Sequence, residues 1–479
     1  MLKKKLFIFF VLMLCCLLPV FLHAQIKDTA LEKSEPTFLF ISAIKITGNK
    51  RTKSYIIERE MQYKVGDKIY IADLQKSIKQ TQTQIYNINL FIEAKLDTQR
   101  VAIDSIQLNV YVKERWYIFP TPQFSLIDRS YKEWYRTFDA DFNRVTYGVD
   151  FTHYNFSGRR DQLSITGLTG YARNISFSYS SPYSNSKLTE GFAISASYTQ
   201  NREIGYKTSD GNKPFVYNKG KQMLYSKNGF VRDNYQFDGS YSWRRGFFKR
   251  TGVSLGLNYL VVDDSIIDPK YNPTYFSTGK ASQFYTDINF GVAYANTDKN
   301  AYPLTGLIYN YGFSKRGFGL KGGINSSTIG GSFSKYITHK HNFFSTIKFA
   351  GILKVPFEQA YINRRAIGFG NLKLRGLELF IIDGVAAFTT SYTFSKKVVS
   401  FRIPIPFKIN ALPYIPFTFY AKTYIDAGYS YIPNAYNTRL NNKLLYTGGI
   451  GLDVLTLYDK VVKIEFSFNQ LGQKGIFFQ

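Results

Sequence analysis

Few residues in this chain are of types that do acid–base or metal chemistry, and they are widely spaced. Four histidines occur in 479 residues, and one of them, His23, lies in an apolar leader. His339 and His341 have the spacing that puts two imidazoles on one face of a strand, where they could share a metal. No third ligand lies near them and the segment has the character of a tight turn, so a solvated turn is expected and no metal site. There is no Gly-x-Ser-x-Gly elbow and no glycine-rich phosphate loop. No cofactor and no catalytic constellation are expected, and the chain does not read as an enzyme. What remains is charge in unusual places. The stretch "GFGNLKLRGLELFIIDG", Gly368 to Gly384, sets Arg375 and Gly376 among apolar residues and closes on Asp383. In "TFYAKTYIDAGYSY", Phe419, Ala421, Thr423, Ile425 and Ala427 fall on one face, and Lys422, Asp426 and Gly428 on the other.

The elements that must carry these charges are strands. In "GFAISASYTQ" the residues Phe192, Ile194, Ala196 and Tyr198 alternate with small and polar ones. "GVSLGLNYLV", "DINFGVAY" and "VKIEFSFN" alternate in the same way, the last placing Lys463, Glu465 and Ser467 opposite Val462, Ile464, Phe466 and Phe468. A soluble sandwich also alternates, but here one face is uniformly apolar or aromatic and the other small, polar or charged, as a wet lumen would be. Aromatic residues make up 17% of the chain, with 38 Tyr and 42 Phe, which suits the outer face and interfacial girdles of a membrane barrel. About fifteen such strands precede a short last one, "GIFFQ", so an even count gives a 16-stranded antiparallel transmembrane β-barrel over 116–479. An aspartate on its lipid face would be expensive, so Asp426 should face the lumen.

Residues before the barrel differ. Lys3 to Lys5, an apolar run from Leu6 to Leu22 and a small Ala24 read as a signal peptide, 1–24, with a retained membrane anchor as the rival. Cys15 and Cys16 lie in that run, so the exported chain would carry no disulfide. A polar linker, 25–37, follows. Residues 38–115 then read strand, helix, helix, strand, strand: a small α+β domain. Its helices are expected over "SYIIEREMQYKVGD", stopping at Gly66, and over "IADLQKSIKQTQTQIYNINLF", with Leu74, Ile78 and Ile85 on one face.

These features resemble the BamA/TamA family of outer-membrane assembly and translocation proteins, also called the bacterial surface antigen family. The POTRA-like marks are Gly48-Asn49, Gly66-Asp67, Leu90-Phe91 and Glu114. The barrel marks are "NFSG" at Asn155, "DKNAYPLTG" at Asp298, "LRGL" at Leu374 and "YIDAG" at Tyr424, in family order. The resemblance implies one periplasmic POTRA domain followed by the barrel. It further implies that the long loop between strands eleven and twelve folds back into the lumen and sets Arg375 on Asp426, with Gly376 and Gly428 giving room. The other reading is a solvated arginine and an unrelated lumenal aspartate.

The functional expectation is an integral outer-membrane protein that helps insert barrel proteins or translocate proteins. The alternative is a passive solute channel or a structural barrel without clients. The seam residues Ile476, Phe477 and Phe478 offer few ladder bonds to a first strand that contains Pro120 and Pro122, so the barrel should close weakly there. A frayed terminus is the plainer reading. The expected partners are outer-membrane lipids, unfolded outer-membrane or secreted clients, and periplasmic chaperones or accessory lipoproteins. The net charge is +27. In an exported chain that excess fits anionic lipid rather than nucleic acid, although solubility alone could also account for it.

Overall fold

The computed structural model describes residues 38–126, 139–208, 223–226, 229–320, 323–368, 370–377, 380, 382–404, 414–433 and 439–478. The leader and linker expected at 1–37 lie outside these residues. No helix among the described residues is long and apolar enough to cross a membrane; the chain is built mainly from strands.

The amino-terminal domain contains β1 (Phe38–Thr47), α1 (Ser54–Glu58), β2 (Lys68–Tyr70), α2 (Ile71–Asn87), β3 (Phe91–Arg100) and β4 (Ser105–Glu114). The sheet order is β2-β1-β4-β3, with β1 parallel to β4 and the other pairs antiparallel. Ile56, Ile57, Ile85 and Phe91 are buried in its core, and Leu74 and Ile78 pack against it.

The first helix is much shorter than "SYIIEREMQYKVGD" implies. After Glu58 the chain turns, buries Glu60, and returns as β2 against the start of β1. Gly66 takes φ +92°, and the Asp67 carboxylate accepts from the Lys64 amide at 2.8 Å. Tertiary contacts override a helical pattern too short to hold by itself. Gly48 takes φ +91°, and a Cβ there would lie 1.9 Å from the Val112 carbonyl oxygen, which excludes any larger residue. Asn49 donates to the Thr52 carbonyl at 3.0 Å. Glu114 accepts from the amides of Arg51 and Thr52, pinning the loop that follows β1.

Sixteen antiparallel strands form the second unit, from the first (Ile118–Leu126) to the sixteenth (Lys474–Phe478). Their outward residues are exposed although apolar: Val253, Leu255, Leu257 and Tyr259 on one strand are 37–50% accessible. A water-facing surface would not carry such a band, and a lipid-facing one does. Stacked tyrosines mark both ends of the band. Tyr294 and Tyr309 lie 4.9 Å apart near the amino-terminal domain, and Tyr198 and Tyr235 lie 4.6 Å apart at the far end. Each strand is laddered to its neighbours, but among the described residues no ladder joins the sixteenth to the first. Two prolines deprive the first strand of donors, and the last strand has only five residues.

The long connection between the eleventh strand (Phe343–Val355) and the twelfth (Ala386–Pro404) folds back into the barrel. Its Leu372, Leu374, Leu377 and Phe380 pack with Ala350, Ala387, Leu440 and Leu445. A short hairpin pairs Arg365 with Asp383, and Lys354 of the eleventh strand donates to the Asn363 carbonyl at 2.7 Å. Asp383 is buried, and its carboxylate accepts from Thr208 at 2.6 Å.

Candidate lumenal lock and domain interface

Asp426 lies on the lumenal face of the thirteenth strand (Tyr414–Tyr431) and is 1% exposed, whereas Ile425 beside it is 61% exposed on the outer face. Arg375 reaches it from the folded loop. The Arg375 Nε donates to Asp426 Oδ2 at 2.8 Å, its Nη2 to Oδ1 at 2.5 Å, and its backbone amide to Oδ2 at 3.0 Å. The guanidinium also lies 3.8 Å from the centre of the Tyr424 ring. A planar fork meets both carboxylate oxygens and stacks on an aromatic face, a combination unavailable to lysine.

The two glycines make this approach possible. Gly376 takes φ +83°, and a Cβ there would come within 2.9 Å of the Ser467 Cβ. Its carbonyl accepts from Asn469 at 2.8 Å. A Cβ on Gly428 would meet Leu374 of the loop at 3.1 Å. Gly376→Ala is expected to destabilise the barrel by about 1–2 kcal/mol through the left-handed backbone alone. The check is the urea midpoint of the barrel's heat-modifiable band on a gel.

The lock is one end of a longer polar chain. Arg375 Nη1 lies 3.9 Å from Glu465 on the fifteenth strand (Val461–Asn469). Lys422 bridges Glu465 and Asp453, each at 2.5 Å. Asp453, on the fourteenth strand (Leu444–Leu455), accepts from the Tyr302 hydroxyl at 2.9 Å. Tyr302 belongs to the Asp298–Thr305 turn, whose tip therefore reaches strands on the other side of the sheet. Asp298 closes that turn by accepting from the Leu304 amide at 2.9 Å. Strand alternation identifies Lys422 and Glu465 as lumenal, but nothing in the sequence says that they meet.

The same turn touches the amino-terminal domain, because Asn87 at the end of α2 donates to the Thr297 carbonyl at 3.1 Å. Other turns on that side do likewise. Arg51 donates to the carbonyls of Asn155 and Phe156, so "NFSG" is a docking turn as well as a tight one. Asn155 itself donates to Thr52 at 2.9 Å. Arg59 donates to the carbonyls of Leu188, Arg244 and Gly246. At the centre, Glu60 accepts from Arg244 through both oxygens, at 2.6 and 2.8 Å, and from the Tyr183 hydroxyl at 2.7 Å. Burial alone would raise the Glu60 pKa, but the hydrogen bonds and charge of Arg244 outweigh it and hold the carboxyl below its ordinary value. The sequence gives no sign of this cluster; its members lie 61 to 184 residues apart.

At the seam, Arg115 pairs with Asp459 at 2.6 Å, and the Tyr86 hydroxyl donates to the same carboxylate at 3.0 Å. The Phe119 ring meets Tyr458 at 5.7 Å. The first strand is thus tied at its start to the turn after the fourteenth, without a ladder. Ile476 is exposed and pairs with Phe466, and in the same ladder Phe477 pairs with Glu465 and Phe478 with Ile464. His339 and His341 stand in the turn before the eleventh strand, and the His339 ring contacts the Ser345 hydroxyl at 2.8 Å. Among the described residues no group of three potential ligands could hold a metal.

Residues 39–115 match the family model described as POTRA, surface antigen variable number repeat. The chain is similar in fold to the crystal structure of BamA from Haemophilus ducreyi lacking POTRA domains 1-3, at 15% identity and a TM-score of 0.50, covering 92% of this chain and 83% of that one. CdiB from Escherichia coli aligns at 12% identity and a TM-score of 0.49, covering 95% and 92%. CdiB from Acinetobacter baumannii aligns at 12% and 0.49, covering 92% and 73%. No curated protein matches the sequence.

Proposed function

We propose that this chain, a single POTRA domain joined to a 16-stranded outer-membrane β-barrel of the BamA/TamA type, assists the insertion of outer-membrane proteins or the translocation of proteins across that membrane. The observation that carries this reading is the seam. Among the described residues the first and last strands share no ladder, which leaves backbone donors and acceptors at that seam able to pair with an incoming strand. The POTRA domain lies against the periplasmic turns, with β3 at the open edge of its own sheet. The clients are unfolded outer-membrane or secreted chains, and periplasmic chaperones or accessory lipoproteins would deliver them. Anionic lipid is the proposed surrounding partner, on the strength of the basic charge. A passive channel fits less well, because the folded loop occupies the lumen from outside and Tyr302 enters it from the periplasmic side.

Depletion followed by an inventory of outer-membrane and surface proteins tests the proposal. Selective loss of barrels or of one exported group is the expected result. An unchanged inventory, together with solute conductance in planar bilayers, would favour the channel.

A further inference from the structure

The twelfth and thirteenth strands run well past their neighbours on the POTRA side, with 19 and 18 residues. The eleventh strand begins at Phe343, opposite Lys396, and the fourteenth ends at Leu455, opposite Thr418. Beyond those points the two strands pair with each other alone, Phe401 with Phe417 and Ile403 with Ile415. A tilted strand crosses the hydrocarbon in about 9–11 residues, so this two-stranded ribbon stands clear of the lipid.

The two faces of the ribbon differ. Register puts Val399, Phe401 and Ile403 on the outward side with Ile415, Phe417 and Phe419, continuing the lipid-facing set of the barrel wall. The Phe401 ring lies 5.6 Å from Phe417 and 5.8 Å from Phe419. Ser400 and Arg402 take the other side, and Arg402, Pro416 and Thr418 line a cavity of about 410 Å³ together with Tyr86 and Ile92 of the POTRA domain. Every residue from Val398 to Pro404 is exposed. Among the described residues no strand pairs with the outer edge of Val399–Ile403. A bulge at Val398 and the missing donor of Pro404 bound this edge, and the residues between them keep their amides. Two strands alone, with an apolar face in water, are marginal; a third on the open edge would complete the ladder and extend cover over that face.

We infer that the edge of Val399–Ile403 takes a strand of an unfolded outer-membrane client, one that alternates apolar and polar residues. The inference rests on the proposed client handling and gives it a docking place away from the seam. Pattern and charge select this occupant. An added strand keeps the alternation of its neighbour, so its apolar residues would extend the row of Phe401 and its polar ones would lie beside Ser400 and Arg402. That is the pattern of a transmembrane barrel strand, held with its apolar side already turned as the barrel wall is turned. The ribbon carries Lys396, Lys397 and Arg402, and no acid occurs from Val385 to Ile425, so acidic residues on the polar face of the client fit it best. Lipid would cover the apolar face and leave the ladder edge unpaired.

The test uses the full chain in lipid nanodiscs and a dye-labelled peptide of about ten residues, alternating valine or phenylalanine with threonine or glutamate. Fluorescence anisotropy should show binding, and F401S/I403S should weaken it about tenfold, the factor expected when two apolar side chains lose part of their covered surface. Both residues are exposed and lie past the barrel ladder, so the heat-modifiable band should be unchanged; I403S alone, at the tip, should show part of the same loss. A peptide with the alternation scrambled, and one N-methylated on alternate amides, should bind more weakly than the original. Equal binding by the wild type and both variants would overturn the site and leave the client reading standing, with the strand held elsewhere. Equal binding of the scrambled or methylated peptide would mean plain apolar contact and overturn strand addition. No binding by the wild type would overturn the site and count against the client reading too. Quenching of a thiol-linked dye at F401C by nitroxide-labelled acyl chains would put the face in lipid and overturn the inference.

Discussion

Replacing Arg375 with alanine will release the folded loop from the thirteenth strand at a cost of about 3–5 kcal/mol, the effect of removing one partner from a buried ion pair. Asp426 is 1% exposed, so the lost guanidinium leaves a carboxylate that water does not reach. Asp426→Ala should lose a comparable amount, because it strands the arginine beside Glu465 and Lys422. The double variant should lose less than the two singles together, and that shortfall is the interaction. Arg375→Lys keeps the charge but gives up the two-point contact with Asp426 and the stacking on Tyr424, so it should recover only part of the loss. Urea unfolding of the reconstituted barrel reads all four. Fully additive losses would mean that the pair contributes nothing beyond its separate residues. Tyr302→Phe removes one hydrogen bond to the charged Asp453 carboxylate and should cost about 1.5–3 kcal/mol, less than either lock variant. Should its effect shrink in the Arg375→Ala background, the polar chain from the periplasmic turn to the loop acts as a unit.

What the sequence discloses follows from the range of its signals. A two-residue period is local, so the lumenal face of Asp426, Lys422 and Glu465 can be assigned strand by strand. The Arg375–Asp426 contact spans 51 residues and came only through resemblance to a family, on "LRGL" and "YIDAG"; composition and periodicity do not imply it. The Lys422–Asp453–Glu465 cluster is beyond both, since it depends on the register of three strands and the reach of their side chains. The truncated first helix shows the same limit from the other side. Its pattern is helical as far as Gly66, but Glu60 is taken by Arg244 and Lys68–Tyr70 by β1, and these distant partners decide.

Glu60→Ala will undock the POTRA domain from the barrel, with a loss again of about 3–5 kcal/mol in the docking equilibrium. Glu60 and Arg244 are 1% and 12% exposed at the side chain, and the contact is two-pronged, so the charge left behind on either partner has little water. The other polar contacts include hydrogen bonds from the Arg51 and Arg59 guanidiniums to turn carbonyls, which pair no opposite charge, and the Arg115–Asp459 pair, whose carboxylate is more exposed. Spin labels at cysteines introduced for the exposed Lys95 and Lys335 would report the distance from domain to barrel. A single narrow distance should broaden in Glu60→Ala and in Arg244→Ala, and partly sharpen again in the swapped pair Glu60→Arg/Arg244→Glu. Unaltered distances in the singles would remove this cluster as the latch. The pH dependence has a definite sign. Because the folded carboxyl titrates below its unfolded value, its contribution is complete above the usual carboxylate range and is lost as pH falls through the lowered value. Docking should therefore be constant from neutral pH down to that range and weaken only in stronger acid, while Glu60→Gln should be insensitive throughout. If the proposed function holds, a domain held this way across the turns stands where a client would arrive. The Glu60 variants therefore separate two ways of working: if delivery requires the domain to swing aside, they should accelerate client passage, and if the docked domain presents the client, they should abolish it.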